Sequence, residues 1–179
     1  MDDLIDTLPS ALRERTRLLN EHAPNPNADY VLYWMHHAMR IDDNPALDLA
    51  LWIGQQLGKP LLVYQGLSGD HLHNNDRHHL FILQGARDVA RTLAQRGIRY
   101  SFFLPKHTTD RSPLKTLMQS AAAVVMEQMP VAPFNQWQPK LARQSKTCVV
   151  DVDTRCIVPM LMSDKPFDRA FAFRDHFKH

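Results

Sequence analysis

Between residues 36 and 44 the sequence reads HHAMRIDDN, which sets two imidazoles, a guanidinium, two carboxylates and an amide close together. Side chains of these types serve three kinds of chemistry. Neutral imidazoles with a carboxylate or thiolate can ligate a metal. A base beside a hydroxyl or thiol can drive nucleophilic catalysis. A guanidinium, or the free N–H groups that open a following helix, can hold an anion. The rest of the chain narrows this choice. Further histidines stand at His71, His73, His78 and His79, but no spacing matches a zinc signature and Cys148 and Cys156 are remote from them, so no metal-binding residues are assigned. The histidines read as exposed or helix-capping. No GxSxG elbow occurs and the serines fall in caps and loops, so no catalytic residue is assigned either. GxGxxG and GxxxxGK[ST] are also absent, so a ligand beside this stretch would be read by side chains and not cradled on glycine backbone. Locally, Asp43 or Asn44 is expected to cap a helix whose first residue is Pro45, with Arg40 paired to Asp42 or Asp43.

Those side chains need elements to hold them. Short apolar runs of strand type at 30–35, 60–66, 99–104, 121–126 and 147–152 alternate with segments of helical period at 45–57, 77–96 and 133–144. A shorter helix follows Ser112 and Pro113. Gly58 and Gly97 mark helix ends, and Asn75 or Asp76 is placed to cap the helix at 77–96. Strands alternating with helices predict an α/β fold, a Rossmann-like five-stranded parallel sheet with helices on both faces. A polar helix over 10–22 and an extended Pro-rich linker precede it. In such a sheet ligands bind beyond the carboxyl ends of the strands, where strand order reverses. That directs attention to the loop after the first strand and to EQMPVAP, 127–133, after the fourth. Trp34, Trp52 and Trp137 read as core or helix-face packing residues.

Composition sets the outer limits. A chain of 179 residues that is 44% hydrophobic and 22% charged supports one well-buried core. A net charge of +2 is too small to argue for a nucleic-acid surface. No signal-peptide pattern and no long apolar run are present, which predicts a cytoplasmic protein, no membrane partner, and two free thiols. The expected organisation is a helix and linker over 1–28, the α/β domain over 29–152, and an exit segment over 153–179. Phe167, Phe171, Phe173 and Phe177 in that last segment need something to cover them.

Several stretches, in order, resemble one family. RTRLLNE (15–21), YVLYWM (30–35), the R-x-x-D-N-x-A-L pattern from Arg40 to Leu47, GKPLLVYQGL (58–67), DRHHLFILQGARDVARTLAQRGIRYSFFL (76–104), VDTRCIVP (152–159) and SDK (163–165) resemble the N-terminal region of the DNA photolyase/cryptochrome family. The resemblance is strongest to class II cyclobutane-pyrimidine-dimer photolyases. It implies an α/β antenna domain with parallel strands in the order 3-2-1-4-5, followed by a helical domain that binds FAD, takes up damaged DNA and repairs pyrimidine dimers by light-driven electron transfer. It implies further that this chain stops where that helical domain would begin, so FAD is not expected here and the chain alone is expected to be inactive. An antenna chromophore, a deazaflavin or a folate, is expected against the loops of His36, His37, Arg40, Asp43 and Asn44, with Gln65 and Gly66 after the second strand. Cys156 stands where the resemblance leads one to expect a polar residue such as Asn.

The expected partners are damaged DNA through the helical domain, and that domain or a second copy of this chain over the Phe-rich tail. The alternative is a stand-alone nucleotide- or chromophore-binding Rossmann-like module without catalytic activity.

Overall fold

Of six strands among the described residues of the computed structural model, five are those the alternation predicts. The model describes residues 5–67, 75–107 and 109–178, so His71 and His73 lie outside the described residues. After a helical end at residues 5–6 come helix α1 (Ser10–Arg13) and strand β1 (Thr16–Leu18). Then come β2 (Tyr30–Trp34), α2 (Pro45–Leu57), β3 (Leu61–Gly66), α3 (Asp76–Gln95), β4 (Arg99–Phe103), α4 (Leu114–Gln119), β5 (Ala121–Glu127), α5 (Phe134–Gln144) and β6 (Cys148–Val152). A single 3-10 turn (Met160–Met162) and α6 (Ala170–His176) follow in the exit segment.

The sheet runs β1-β6-β5-β2-β3-β4. Strands β2 to β6 are parallel and, counted from β2, give the order 3-2-1-4-5. From β2 the chain moves to β3 on one side, and later to β5 on the other. The switch point therefore lies beyond the carboxyl ends of β2 and β5.

The sixth strand corrects the reading of 10–22 as one helix. Only Ser10–Arg13 is helical, and Thr16–Leu18 instead pairs antiparallel with β6. The segment has no apolar stripe to bury as a helix, whereas as a strand it answers a need of its neighbour. Asp151 of β6 is wholly buried, and Arg17 Nε and Nη2 donate to its two carboxylate oxygens at 3.1 and 2.6 Å. A buried carboxylate without such a partner is costly, and the pairing outweighs a weak local helix preference. The linker contributes backbone pairing as well, with Asn25 N–H donating to Ala122 O at 2.8 Å.

Helix ends follow their sequence signals. Asn44 and Asn75 cap α2 and α3, while Gly58 and Gly97 take left-handed φ of 62° and 70° just past them, a conformation free of strain without a Cβ. Helix α4 starts at Leu114, one residue later than Pro113, though Leu114 N–H still donates to Ser112 Oγ at 3.3 Å. Alternation along the strands splits the core in two. Val31, Tyr33, Val63, Val125 and Val150 face α2 and α3, which contribute Leu47, Ile53, Val89 and Leu93. Leu32, Tyr64, Val124, Met126 and Val149 face α4 and α5. Both cysteines are free thiols.

Candidate functional site

At the carboxyl end of β2 the chain turns outward through the stretch 36–44, and the partner that organises this turn comes from β5. Strand β5 is wholly buried, and its last residue, Glu127, is its one carboxylate. Glu127 Oε1 accepts from Tyr33 Oη at 2.6 Å and from His36 N–H at 3.4 Å, while Oε2 accepts from His37 N–H and Ala38 N–H at 2.7 Å each. The Glu127 carbonyl accepts from Gln138 Nε2 of α5. Burial pushes the Glu127 carboxyl above its usual range, and the donors from Tyr33, Ala38, His37 and His36 restrain that rise. The same burial, with Glu127 alongside, raises the Tyr33 phenol strongly, so it remains a donor.

Asn44 ties this knot to the start of α2. Its Oδ1 accepts from Ala46 and Leu47 N–H at 3.1 and 3.2 Å, and its Nδ2 donates to Arg40 O at 2.9 Å, Tyr33 Oη at 3.1 Å and Ala38 O at 3.2 Å. The helix cap is therefore Asn44. Asp43, in front of it, takes a left-handed φ of 50°. Arg40 does not pair with either neighbouring carboxylate as the sequence led us to expect. Its Nε donates to Asp43 O at 3.0 Å and its Nη2 to Thr154 O at 2.7 Å, clamping the loop to the chain leaving β6. Asp42 pairs instead with Arg96 beyond α3, at 2.6 Å.

The two imidazoles belong to an aromatic stack. His36 lies 4.6 Å from Trp34, 4.0 Å from His37 and 5.8 Å from Phe134, the last nearly parallel at 4°. His37 packs edge-on to Phe134 at 4.5 Å, and Phe134 meets Trp137 at 5.2 Å. Trp137 is 45% exposed, so the stack runs from the sheet to the surface and Trp137 is not a core residue. Burial first, then His37 and Arg155, hold the His36 imidazole well below its ordinary pKa; burial and Arg155 push His37 down to about 4. Both rings are neutral near neutral pH. Around this end of the sheet His36 Nδ1, His37 Nε2, Gln128 Oε1 and Thr154 Oγ1 are buried without a hydrogen-bond partner.

Of the residues singled out from sequence, the structure thus joins His36, His37 and Asn44 in one network, with Arg40 and Asp43 bracing its outer side. Gln65 and Gly66 stand apart, on β3. Gln65 is buried and its Oε1 accepts from Tyr100 Oη of β4 at 2.6 Å, while a Cβ on Gly66 would meet Tyr64 Oη at 3.0 Å. Tyr33, Phe134 and Gln138 are not among those residues, and Glu127 heads the EQMPVAP stretch to which the sequence directs attention without being assigned a role there. Glu127 did leave a signal, a lone carboxylate ending an apolar strand at the switch point.

Among the described residues no group of three or more His, Cys, Asp or Glu side chains comes together to hold a metal, and no helix is long and apolar enough to cross a membrane. Where VDTRCIVP leaves β6, Asp153 Oδ1 accepts from Arg155 and Cys156 N–H at 3.0 Å and Oδ2 from Met160 N–H at 3.1 Å. Arg15 reaches across to donate to the carbonyls of Cys156 at 2.6 Å and Ile157 at 2.9 Å.

Residues 31–178 match the family model described as DNA photolyase. The chain belongs to the DNA photolyase family. A deoxyribodipyrimidine photo-lyase from Methanothermobacter thermautotrophicus is 32% identical over 166 residues, covering 92% of this chain and 37% of that protein. The photolyase domain described here thus spans little more than a third of that relative's length. Its R-x-x-D-N-x-A-L stretch is, in this photolyase domain, a structural device: Arg40 clamps, Asn44 caps, and Ala46 and Leu47 are buried. Among solved structures, the universal stress protein from Archaeoglobus fulgidus in complex with dAMP is 13% identical, with a TM-score of 0.45 over 70% of this chain and 98% of that one. A universal stress protein family member from Burkholderia pseudomallei is 17% identical, also with a TM-score of 0.45, over 72% of this chain and 98% of that one. Likenesses of that order carry no functional argument.

Proposed function

We propose that this chain is the antenna-side α/β domain of a deoxyribodipyrimidine photolyase that repairs UV-induced pyrimidine dimers in DNA, of the class II type on the strength of its sequence motifs. The supporting observation is that the family match runs through the whole α/β unit and the exit segment, while the similar photo-lyase is far longer. The dimer must be flipped from the duplex to be reached. FAD and the damaged dinucleotide belong to the helical domain, and DNA is met through that domain. The working compartment is the cytoplasm, where both thiols stay reduced.

Within the full protein, an antenna chromophore, a deazaflavin or a folate, would absorb light and pass excitation to FAD. The switch-point residues suit a planar heterocycle. The half-buried rings of His37 and Phe134, with the exposed Trp137 beside them, offer stacking surface, and His37 Nε2, Gln128 Oε1 and Thr154 Oγ1 are buried polar atoms in want of a partner. His36 would back the stack and His37 would orient the ring, Arg40, Asp43 and Asn44 would fix the loop that carries them, and Gln65 and Gly66, which stand apart on β3, would meet only the part of a ligand that extends over the end of that strand. Phe171 and Ile157, 53% and 95% exposed, would lie against the helical domain or a second copy.

The test is titration of the purified chain with a deazaflavin, a folate, riboflavin and FAD, reading tryptophan fluorescence and melting temperature. A deazaflavin or folate should quench Trp137 and raise the melting temperature, while FAD does neither. Absence of any shift with deazaflavin and folate would remove the antenna role. Dimer repair by this chain alone under blue light would overturn the domain assignment.

A further inference from the structure

We infer that the loop after β2 is an oxyanion hole whose permanent occupant is the Glu127 carboxylate, and that this occupancy turns the switch-point crevice against phosphorylated ligands. In folds of this architecture the position beyond the first parallel strand is where backbone N–H groups meet a ligand's phosphate. Here those groups converge on a side chain of the protein itself. His37 and Ala38 N–H donate at 2.7 Å and His36 N–H at 3.4 Å, with Tyr33 Oη as a further donor at 2.6 Å. The helix that follows offers no substitute, because the N–H groups of Ala46 and Leu47 are taken by Asn44 Oδ1.

Among the described residues no Arg or Lys forms an ion pair with the carboxylate: Arg155 and Arg40 act on His36, His37 and Tyr33 from further off, and Arg40 is taken up by the carbonyls of Asp43 and Thr154. The cationic type of side chain nearest the carboxylate is His36, whose Nδ1 stands 3.9 Å from Oε2, and burial keeps that ring neutral. A phosphate brought to the same place would face a fixed carboxylate at a buried strand end, where like charges repel far more strongly than in water. A neutral planar molecule on the ring-lined mouth meets no such barrier. The hole therefore selects by exclusion, without touching the ligand it admits. This crevice is also that of the proposed chromophore site, and the identity of the admitted ligand rests on that proposal. The hole itself is tested without any chromophore, so the two can fail separately.

Glu127→Ala deletes the occupant and leaves the donors. The variant is expected to melt below the wild type and to regain several degrees as formate or acetate is added, with chloride at matched ionic strength giving no recovery. The wild type is expected to respond to none of these, to be unmoved by inorganic phosphate, and to bind AMP no more tightly than adenosine. Should Glu127→Ala fail to fold, Glu127→Met fills much of the space but offers no carboxylate oxygen to any of these donors. Its His37 and Ala38 amides should then exchange with solvent about tenfold faster or more than in the wild type, while the Leu32 amide within β2 is unchanged. A Glu127→Ala protein that answers formate and acetate no more than the wild type does, or unchanged exchange at His37 and Ala38 in Glu127→Met, overturns the hole. Tighter binding of AMP than of adenosine to the wild type overturns the exclusion.

Discussion

Asn44 holds more of the site together than any other single side chain, because one amide caps α2, braces the loop and orients the Tyr33 phenol. Replacing it with Ala loses the cap, worth about 1 kcal/mol, and strands buried groups at about 1–3 kcal/mol more. Asn44→Ala should therefore lower unfolding stability by about 2–4 kcal/mol in urea titrations; a loss below about 1 kcal/mol would mean that water replaces the amide. Its neighbour Asp43 carries a different kind of cost. At φ of 50° a residue with a Cβ is strained, and Asp tolerates this better than most. Asp43→Gly should be neutral or raise the melting temperature slightly, whereas Asp43→Val should destabilise by about 1–2 kcal/mol. The histidines supply a pH dependence whose sign is fixed. His37 titrates at about 4 in the folded chain against an ordinary 6.5, so the unfolded state binds the extra proton in that window. The contribution of His37 is complete above 6.5 and is lost as pH falls towards 4, with His36 adding in the same direction. Melting followed from neutral to acid pH should show a shallower fall in His37→Gln than in the wild type, and an identical slope would remove the assignment.

At the scale of elements, the Arg17–Asp151 pair decides whether β1 exists. Arg17→Met leaves Asp151 buried without its partner, and should cost about 2–4 kcal/mol, the lower end applying because the Arg17 side chain is half in solvent. Hydrogen exchange should show β1 amides opening ahead of the rest of the sheet. The same pair explains what sequence reading reached and what it did not. Helices α2 and α3 were legible because each carries its own start, apolar face and stop, from Asn44 to Gly58 and from Asn75 to Gly97. The central strands were legible as apolar runs buried on both faces. Strand β1 was not, since its reason for being a strand lies in a carboxylate 134 residues away. The site was half legible for the same cause. Local signals exposed His36, His37 and Asn44, but Glu127 acquires its role only once the sheet sets β5 beside β2.

For the whole molecule, the exit segment is the part least covered by its own core. Phe167, Phe173 and Phe177 pack on one another with ring separations of 4.9 to 6.1 Å, while Phe171 and Ile157 remain outside that cluster and exposed. Phe171→Ser with Ile157→Ser should reduce self-association of the isolated chain in sedimentation and leave its melting temperature nearly unchanged; a large fall in melting temperature would show that these side chains belong to the core. The turn by which this segment leaves is held locally by Asp153 and, from much earlier in the chain, by Arg15, which grips the carbonyls of Cys156 and Ile157. Excitation transfer between two dyes depends on the angle between their transition dipoles as well as on their separation. If the proposed reading holds, an arginine before the first strand acts as a goniometer for the antenna. Its loss would then dim the sensitised yield of repair while leaving direct flavin excitation as efficient as before.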